Sequence, residues 1–308
     1  MTNRHPLHCG LKRAAIFCLL AMLALTGKAQ GPQILSQLED DPDCKAWVDS
    51  VLSTLSTKEQ LGQLMIYTLT PQDTKSNQAL LKKVIKEYGV GGILLRKGSL
   101  REHAMMNNRA QELAEVPVMI TFDGEWGLAM RIPGTPSFPR NGTLGEIEDE
   151  SLLYEYGREV ARQMKELKVH VNFAPVADVN TNPNNPVIGN RSFGNDPKRV
   201  ARQVIAYAQG LEDGGVLSVC KHFPGHGDTD LDSHLALPTL NFGRERLDSI
   251  ELYPFRETFK AGLGGVMVAH LAVPALEKEK GRPASLSKAI VTDLLQHEMG
   301  FKGLVFTD

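Results

Sequence analysis

The strongest constraint on this chain is a repeated alternation. Seven short apolar runs rich in β-branched residues recur along it: LMIYTL (64–69), VGGILLR (90–96), PVMITFD (117–123), VHVNFAPVAD (169–178), VLSVCKHF (216–223), GGVMVAHL (264–271) and GLVFTD (303–308). Helix-patterned segments fall between them at 78–88, 99–114, 150–167, 197–213, 244–261 and 287–299, and shorter ones precede the first strand at 43–55 and from 58. Strands that are apolar throughout need cover on both faces, the arrangement of a parallel sheet with helices packed against it. Seven such units favour a (β/α)8 TIM-type barrel over an open doubly wound sheet. The seventh run stops at Asp308, so the expected barrel is incomplete, lacking its eighth strand and last helices.

Polar residues collect where the runs end: Arg96, Asp123, Asp178, Lys221 with His222, His270 and Asp308. In a barrel all C-terminal strand ends meet at one mouth, so charges far apart in sequence are expected to converge there.

Residues 1–29 read as a secretory signal. Arg4, Lys12 and Arg13 precede the thirteen-residue apolar run 14–26, which is too short to span a bilayer, and Gly27 and Ala29 place small residues at a cleavage site. The expected mature domain is therefore 30–308, exported to the periplasm or the cell exterior, with no membrane span once the signal is removed. Of four cysteines, Cys44 and Cys220 remain, and two free or buried thiols fit better than a disulfide framework. The formal charge of −2 becomes −6 without the four basic residues of the signal, which argues against nucleic acid or an anionic membrane as partner.

The densest chemistry lies in KHFPGHGDTDLDSH (221–234), with three histidines and three aspartates. His222 and His226 have the i, i+4 spacing of helical zinc ligands, but Pro224 and Gly225 between them spoil a helix, and no HEXXH or paired CXXC accompanies them. No metal and no other cofactor is expected. Asp232 stands two residues before His234, where a carboxylate can hold the imidazole tautomer and raise its basicity for proton transfer. A serine triad on Ser233 lacks a G-x-S-x-G elbow.

Taken with FDGEWGLAMR (122–131), NFAPVADV (172–179), NPVIGNRSFGNDP (185–197), VMVAHLAVPALE (266–277), PASLS (283–287) and GFKGLVFTD (300–308), this stretch resembles the ordered motifs of glycoside hydrolase family 3, in its β-N-acetylglucosaminidase branch. The resemblance covers nearly all of the mature chain and implies a (β/α)8 barrel and a retaining mechanism through a covalent glycosyl-enzyme. It implies Asp308 as nucleophile and Asp232 with His234 as the acid/base pair, on a glycine-flanked loop whose closure would complete the site. It further implies a carbohydrate-binding set: Asp123 accepting from sugar hydroxyls, and Arg131, Arg191, Lys221 and His222 donating. Arg131 and Arg191 have a structural rival, in which they tie a loop to Asp178 or Glu125. Trp126 departs from the family pattern, which has glycine there.

The expected activity is removal of terminal β-linked N-acetylglucosamine from peptidoglycan fragments or related glycans. Three alternatives stand beside it: a β-glucosidase or β-xylosidase of the same family, a fragment that binds sugar without turnover, and a metal-dependent amidohydrolase on the same barrel.

Overall fold

Strands β1 (Ile66–Leu69), β2 (Gly92–Leu95), β3 (Met119–Phe122), β4 (Val171–Asn172), β5 (Leu217–Phe223), β6 (Gly265–Val268) and β7 (Leu304–Thr307) lie side by side in chain order. Every neighbouring pair is parallel. The computed structural model describes residues 41–229 and 237–308, and among these β1 pairs with β2 and β7 with β6, leaving one edge of each without a strand partner. The architecture is a curled α/β sheet with seven of the eight strands of a TIM-type barrel.

Period-two alternation divides the side chains into two cores. Val171, Phe173, Leu217, Val219 and Met267 fill the inside, with Leu94, Met119, Leu304 and Phe306 against them. Their sequence neighbours Ile93, Leu95, Ile120, Phe122, Cys220, Val266 and Val268 point outward and pack under the helices. Local signals fix where those helices start. Asp196 accepts from the Arg199 amide at 2.8 Å ahead of Pro197, opening the helix Pro197–Asp213. Ser99 and Glu102 form a reciprocal capping box on Leu100–Leu113.

The helix expected over 244–261 is instead two, Arg244–Ser249 and Tyr253–Lys260. Pro254 is the reason: it has no amide hydrogen and its ring clashes with the carbonyl four residues back, so it is tolerated only in the first turn of a new helix. Cys44 and Cys220 are both free thiols, and burial pushes the Cys220 thiol up to about 12. Residues 1–29, expected to be a signal, lie outside the described residues. Among the described residues no helix is long and apolar enough to cross a membrane.

Candidate active site

β5 sets the geometry of the site. Leu217 and Val219 face the barrel interior, so the alternation carries Lys221 inward as well. Continued alternation would turn His222 outward and Phe223 inward. The pairing with β6 shifts register between Cys220 and Phe223, and Phe223 joins the outer core instead. Lys221 and His222 therefore enter the same polar network although they are adjacent in the chain.

Lys221 donates to Asp123 at 2.7 Å and lies 2.9 Å from Glu125. Asp123, just past β3, also pairs with Arg131 through its other oxygen. Glu125 is fully buried and is gripped by both arms of Arg191, Nη2 to Oε1 at 2.6 Å and Nε to Oε2 at 3.0 Å. Arg191 Nη2 lies 3.3 Å from His222 Nε2, and His222 Nδ1 lies 2.6 Å from Asp178 Oδ2. Asp178 Oδ1 accepts from the amides of His222 and His226 at 3.2 and 2.6 Å. The result is one chain of contacts: Arg131, Asp123, Lys221, Glu125, Arg191, His222, Asp178.

Opposite charges at this range outweigh desolvation. Burial would raise the Asp123 and Glu125 carboxyls, but Lys221 with Arg131 holds the first below its ordinary value, and Lys221 with Arg191 holds the second lower still. Burial acts the other way on Lys221, and Asp123 and Glu125 overcome it and raise the ammonium. Asp178, which burial would raise, is lowered chiefly by His222. All three carboxyls are ionised at neutral pH, and Lys221 is charged.

Donor counting shows what remains for a ligand. Lys221 has three N–H bonds, two of them directed at Asp123 and Glu125, so one is left. Each Asp123 oxygen keeps one lone pair. Arg191 spends four of its five hydrogens on Glu125, His222 and the Val187 carbonyl, the last at 3.1 Å. In His222 the carboxylate of Asp178 fixes the proton on Nδ1, so Nε2 presents a lone pair and accepts from Arg191. So placed between Asp178 and Arg191, His222 orients the guanidinium.

Asp123, Lys221 and Asp308 line one cavity of about 550 Å³, whose walls include Phe173, Met267 and Phe306. Asp308 follows β7, its amide donating to the Val268 carbonyl at 3.0 Å, and His270 Nδ1 lies 3.8 Å from its carboxylate. Arg96, also at a strand end, is exposed. The glycines around His226 are closely packed. A Cβ on Gly227 would lie 1.8 Å from the Val179 carbonyl oxygen, and one on Gly225, at φ +128°, 2.8 Å from Glu251 Cβ. His226 is buried, its Nδ1 2.7 Å from the Thr229 hydroxyl. Asp232 and His234 lie outside the described residues. Among the described residues no three His, Cys, Asp or Glu side chains converge as a metal site.

The structure thus brings together five residues singled out from sequence, Asp123, Arg131, Arg191, Lys221 and His222. Arg191 also makes the tie to Glu125 that stood as its structural rival, whereas Arg131 pairs with Asp123 rather than with Asp178 or Glu125. Glu125 and Asp178 join them: Asp178 is one of the strand-end residues expected at the mouth, and Glu125, which was named only as a partner for an arginine, lies just beyond the end of β3.

The sequence profile of the glycosyl hydrolase family 3 N terminal domain matches residues 56–308. Among curated proteins the chain is similar to beta-hexosaminidase A of Pseudoalteromonas piscicida, 36% identical over 251 residues, covering 74% of this chain and 42% of that protein. Among solved structures it is similar to a glycoside hydrolase family 3 beta-N-acetylglucosaminidase from Paenibacillus sp. str. FPU-7, with TM-score 0.78 and 39% identity over 83% of this chain and 49% of that one. It is also similar to the beta-glucoside phosphorylase BglX bound to 2FGlc, with TM-score 0.82 and 26% identity over 90% of this chain and 50% of that one. The chain spans half or less of the length of each of these three relatives.

Proposed function

The chain belongs to glycosyl hydrolase family 3, and from that premise we propose that it forms the barrel of an exported, retaining exo-β-N-acetylglucosaminidase acting on peptidoglycan fragments or related glycans. The observation that carries this reading is that Asp308 and the Asp123–Lys221 pair, each at the C-terminal end of its strand, line one cavity, which runs through the barrel interior to Met65 and Gly91 at the opposite strand ends. A terminal sugar placed there would give hydroxyl hydrogens to Asp123 and take hydrogen bonds from Lys221, which sets its anomeric carbon before the Asp308 carboxylate. Asp308 attacks that carbon and forms the covalent glycosyl-enzyme. His234, paired with Asp232, protonates the departing oxygen and then deprotonates the water that hydrolyses the intermediate. The ion pairs are formed before the sugar arrives, so the polar groups need little reorganisation during the reaction.

The direct test is release of 4-nitrophenol from its N-acetyl-β-glucosaminide and its β-glucoside by the full-length protein, with and without inorganic phosphate. Preferential turnover of the N-acetylglucosaminide is expected; turnover of the glucoside alone would sink the substrate assignment. The likeness to a phosphorylase gives the second arm: phosphate-dependent release of a sugar 1-phosphate would identify phosphate rather than water as acceptor. Asp308→Asn should abolish turnover. His234→Ala should slow bond cleavage by about 100-fold or more on substrates whose leaving group needs a proton.

A further inference from the structure

We propose that Asn172 is a positioning residue for Asp123: it clamps the backbone of Gly124 from behind the barrel wall, so that the Asp123 carboxylate meets the sugar at a fixed place. The inference rests on the sugar-binding role proposed for Asp123. Backbone pairing between β3 and β4 ends at Phe122, whose carbonyl accepts from the Phe173 amide at 2.7 Å. Beyond that point β4 bends, and the Ala174 amide turns back to the Asn172 carbonyl at 2.8 Å. The Asn172 side chain then takes the place of the backbone. Its Oδ1 accepts from the Gly124 amide at 3.0 Å and its Nδ2 donates to the Gly124 carbonyl at 3.2 Å. Asp123 is thus held on both sides, at Phe122 and at Gly124.

Asn172 is fully buried and does not line the cavity that Asp123 lines. Val171 before it fills the inside of the barrel, so alternation turns Asn172 outward, under the helices. Two tyrosines of those helices support the same turn. Tyr207, on Pro197–Asp213, places its hydroxyl 3.4 and 3.3 Å from the Gly124 and Glu125 carbonyls, and Tyr156, on Glu150–Glu166, donates to the Glu125 carbonyl at 3.1 Å. The two rings are stacked, with centres 4.8 Å apart. The Gly124 carbonyl has a further donor in the Gly127 amide at 3.1 Å, so the contact that depends most on Asn172 is the buried Gly124 amide. Removing the carboxamide strands that donor, and the chain relaxes at the residue between Asp123 and Glu125. A carboxamide suits the task because it offers an acceptor and a donor together, the pair that one backbone residue requires.

The test measures kcat/KM of the full-length protein on 4-nitrophenyl N-acetyl-β-glucosaminide and on its 3-, 4- and 6-deoxy analogues. A hydroxyl held by an ionised carboxylate is worth about 10- to 100-fold, so the parent should prefer the intact sugar by that factor over an analogue lacking a hydroxyl that Asp123 binds, and Asp123→Asn should shrink the ratio to about threefold or less. Asn172→Ala should shrink the ratios that Asp123→Asn shrinks, leave the others within about twofold of the parent, and add little to those losses when the two changes are combined. Asn172→Ser, whose hydroxyl is too short to reach both Gly124 atoms, should give the same pattern and serves if Asn172→Ala does not fold. An equal fall on all four substrates, with every ratio as in the parent, would make Asn172 structural only and overturn the proposal while leaving Asp123 as a sugar-binding group. If Asp123→Asn left every ratio unchanged, the placement of the sugar against Asp123 would fall and the positioning role with it.

Discussion

Glu212 and His103 should give this fold two opposing pH dependences that hide each other. Glu212 ends the helix Pro197–Asp213, at the opposite end of the barrel from Asp308, and its Oε1 accepts from the Ser218 hydroxyl at 2.6 Å, the Gly264 amide at 2.9 Å and the Ser218 amide at 3.3 Å. Its Oε2 is buried without a partner, and burial outweighs the three donors and raises the carboxyl from 4.5 to about 7. Between those values the unfolded chain has released the proton and the folded chain keeps it, so stability is full below pH 4.5 and falls as pH rises through 7. At about 1.4 kcal/mol per pH unit the loss is about 3 kcal/mol. His103 is 1% exposed, and burial, outweighing the nearby Arg96 backbone, lowers it from 6.5 to about 4. Its contribution is present above pH 6.5 and lost as pH falls through 4, again about 3 kcal/mol. Across pH 4.5 to 6.5 the two slopes cancel. Urea unfolding followed by circular dichroism from pH 4 to 8 tests this. Glu212→Gln minus parent should be flat below pH 4.5, rise by about 3 kcal/mol up to pH 7 and level off, with kcat/KM unchanged. A flat difference through that window would refute a protonated Glu212 in the folded chain.

Two further outcomes follow from the site geometry. Glu125→Gln leaves Arg191 and Lys221 without their shared buried carboxylate and should lower stability by about 3 kcal/mol, read from the same unfolding curves, and activity with it. Gly227→Ala forces a methyl against the Val179 carbonyl and should lower stability by about 1–3 kcal/mol; a neutral effect in thermal unfolding would contradict the close packing described for that loop.

Most of the fold was legible because buried parallel strands announce themselves as continuous apolar runs. Each strand core falls inside its expected run, and Pro197–Asp213 matches at both ends because Asp196 and Pro197 mark its start and Gly214 follows its end. The break at Pro254 was missed because apolar periodicity continues across it, although the proline itself was the available warning. In the site, Lys221, His222, Asp123 and Asp308 were legible as polar residues ending apolar strands. Asp178 was legible in the same way, but its partner His222 was not, and for Arg191 the choice between Asp178 and Glu125 stayed open: these partners are 44 and 66 positions apart, and only the three-dimensional arrangement selects them. Pro224 and Gly225 were legible as helix breakers, but the close approach of Val179 and Glu251 to Gly227 and Gly225 was not.

The ion-pair chain from Arg131 to Asp178 also limits how this barrel can diverge. Each interior member serves two neighbours at once, so no single position can change its charge without stranding a buried partner. Viable sequence change at Asp123, Lys221, Glu125 or Arg191 must come in compensating steps, and measured effects of substitutions there should be strongly non-additive. The mouth of the barrel therefore behaves as one unit under substitution, unlike the exposed faces of the helices outside it.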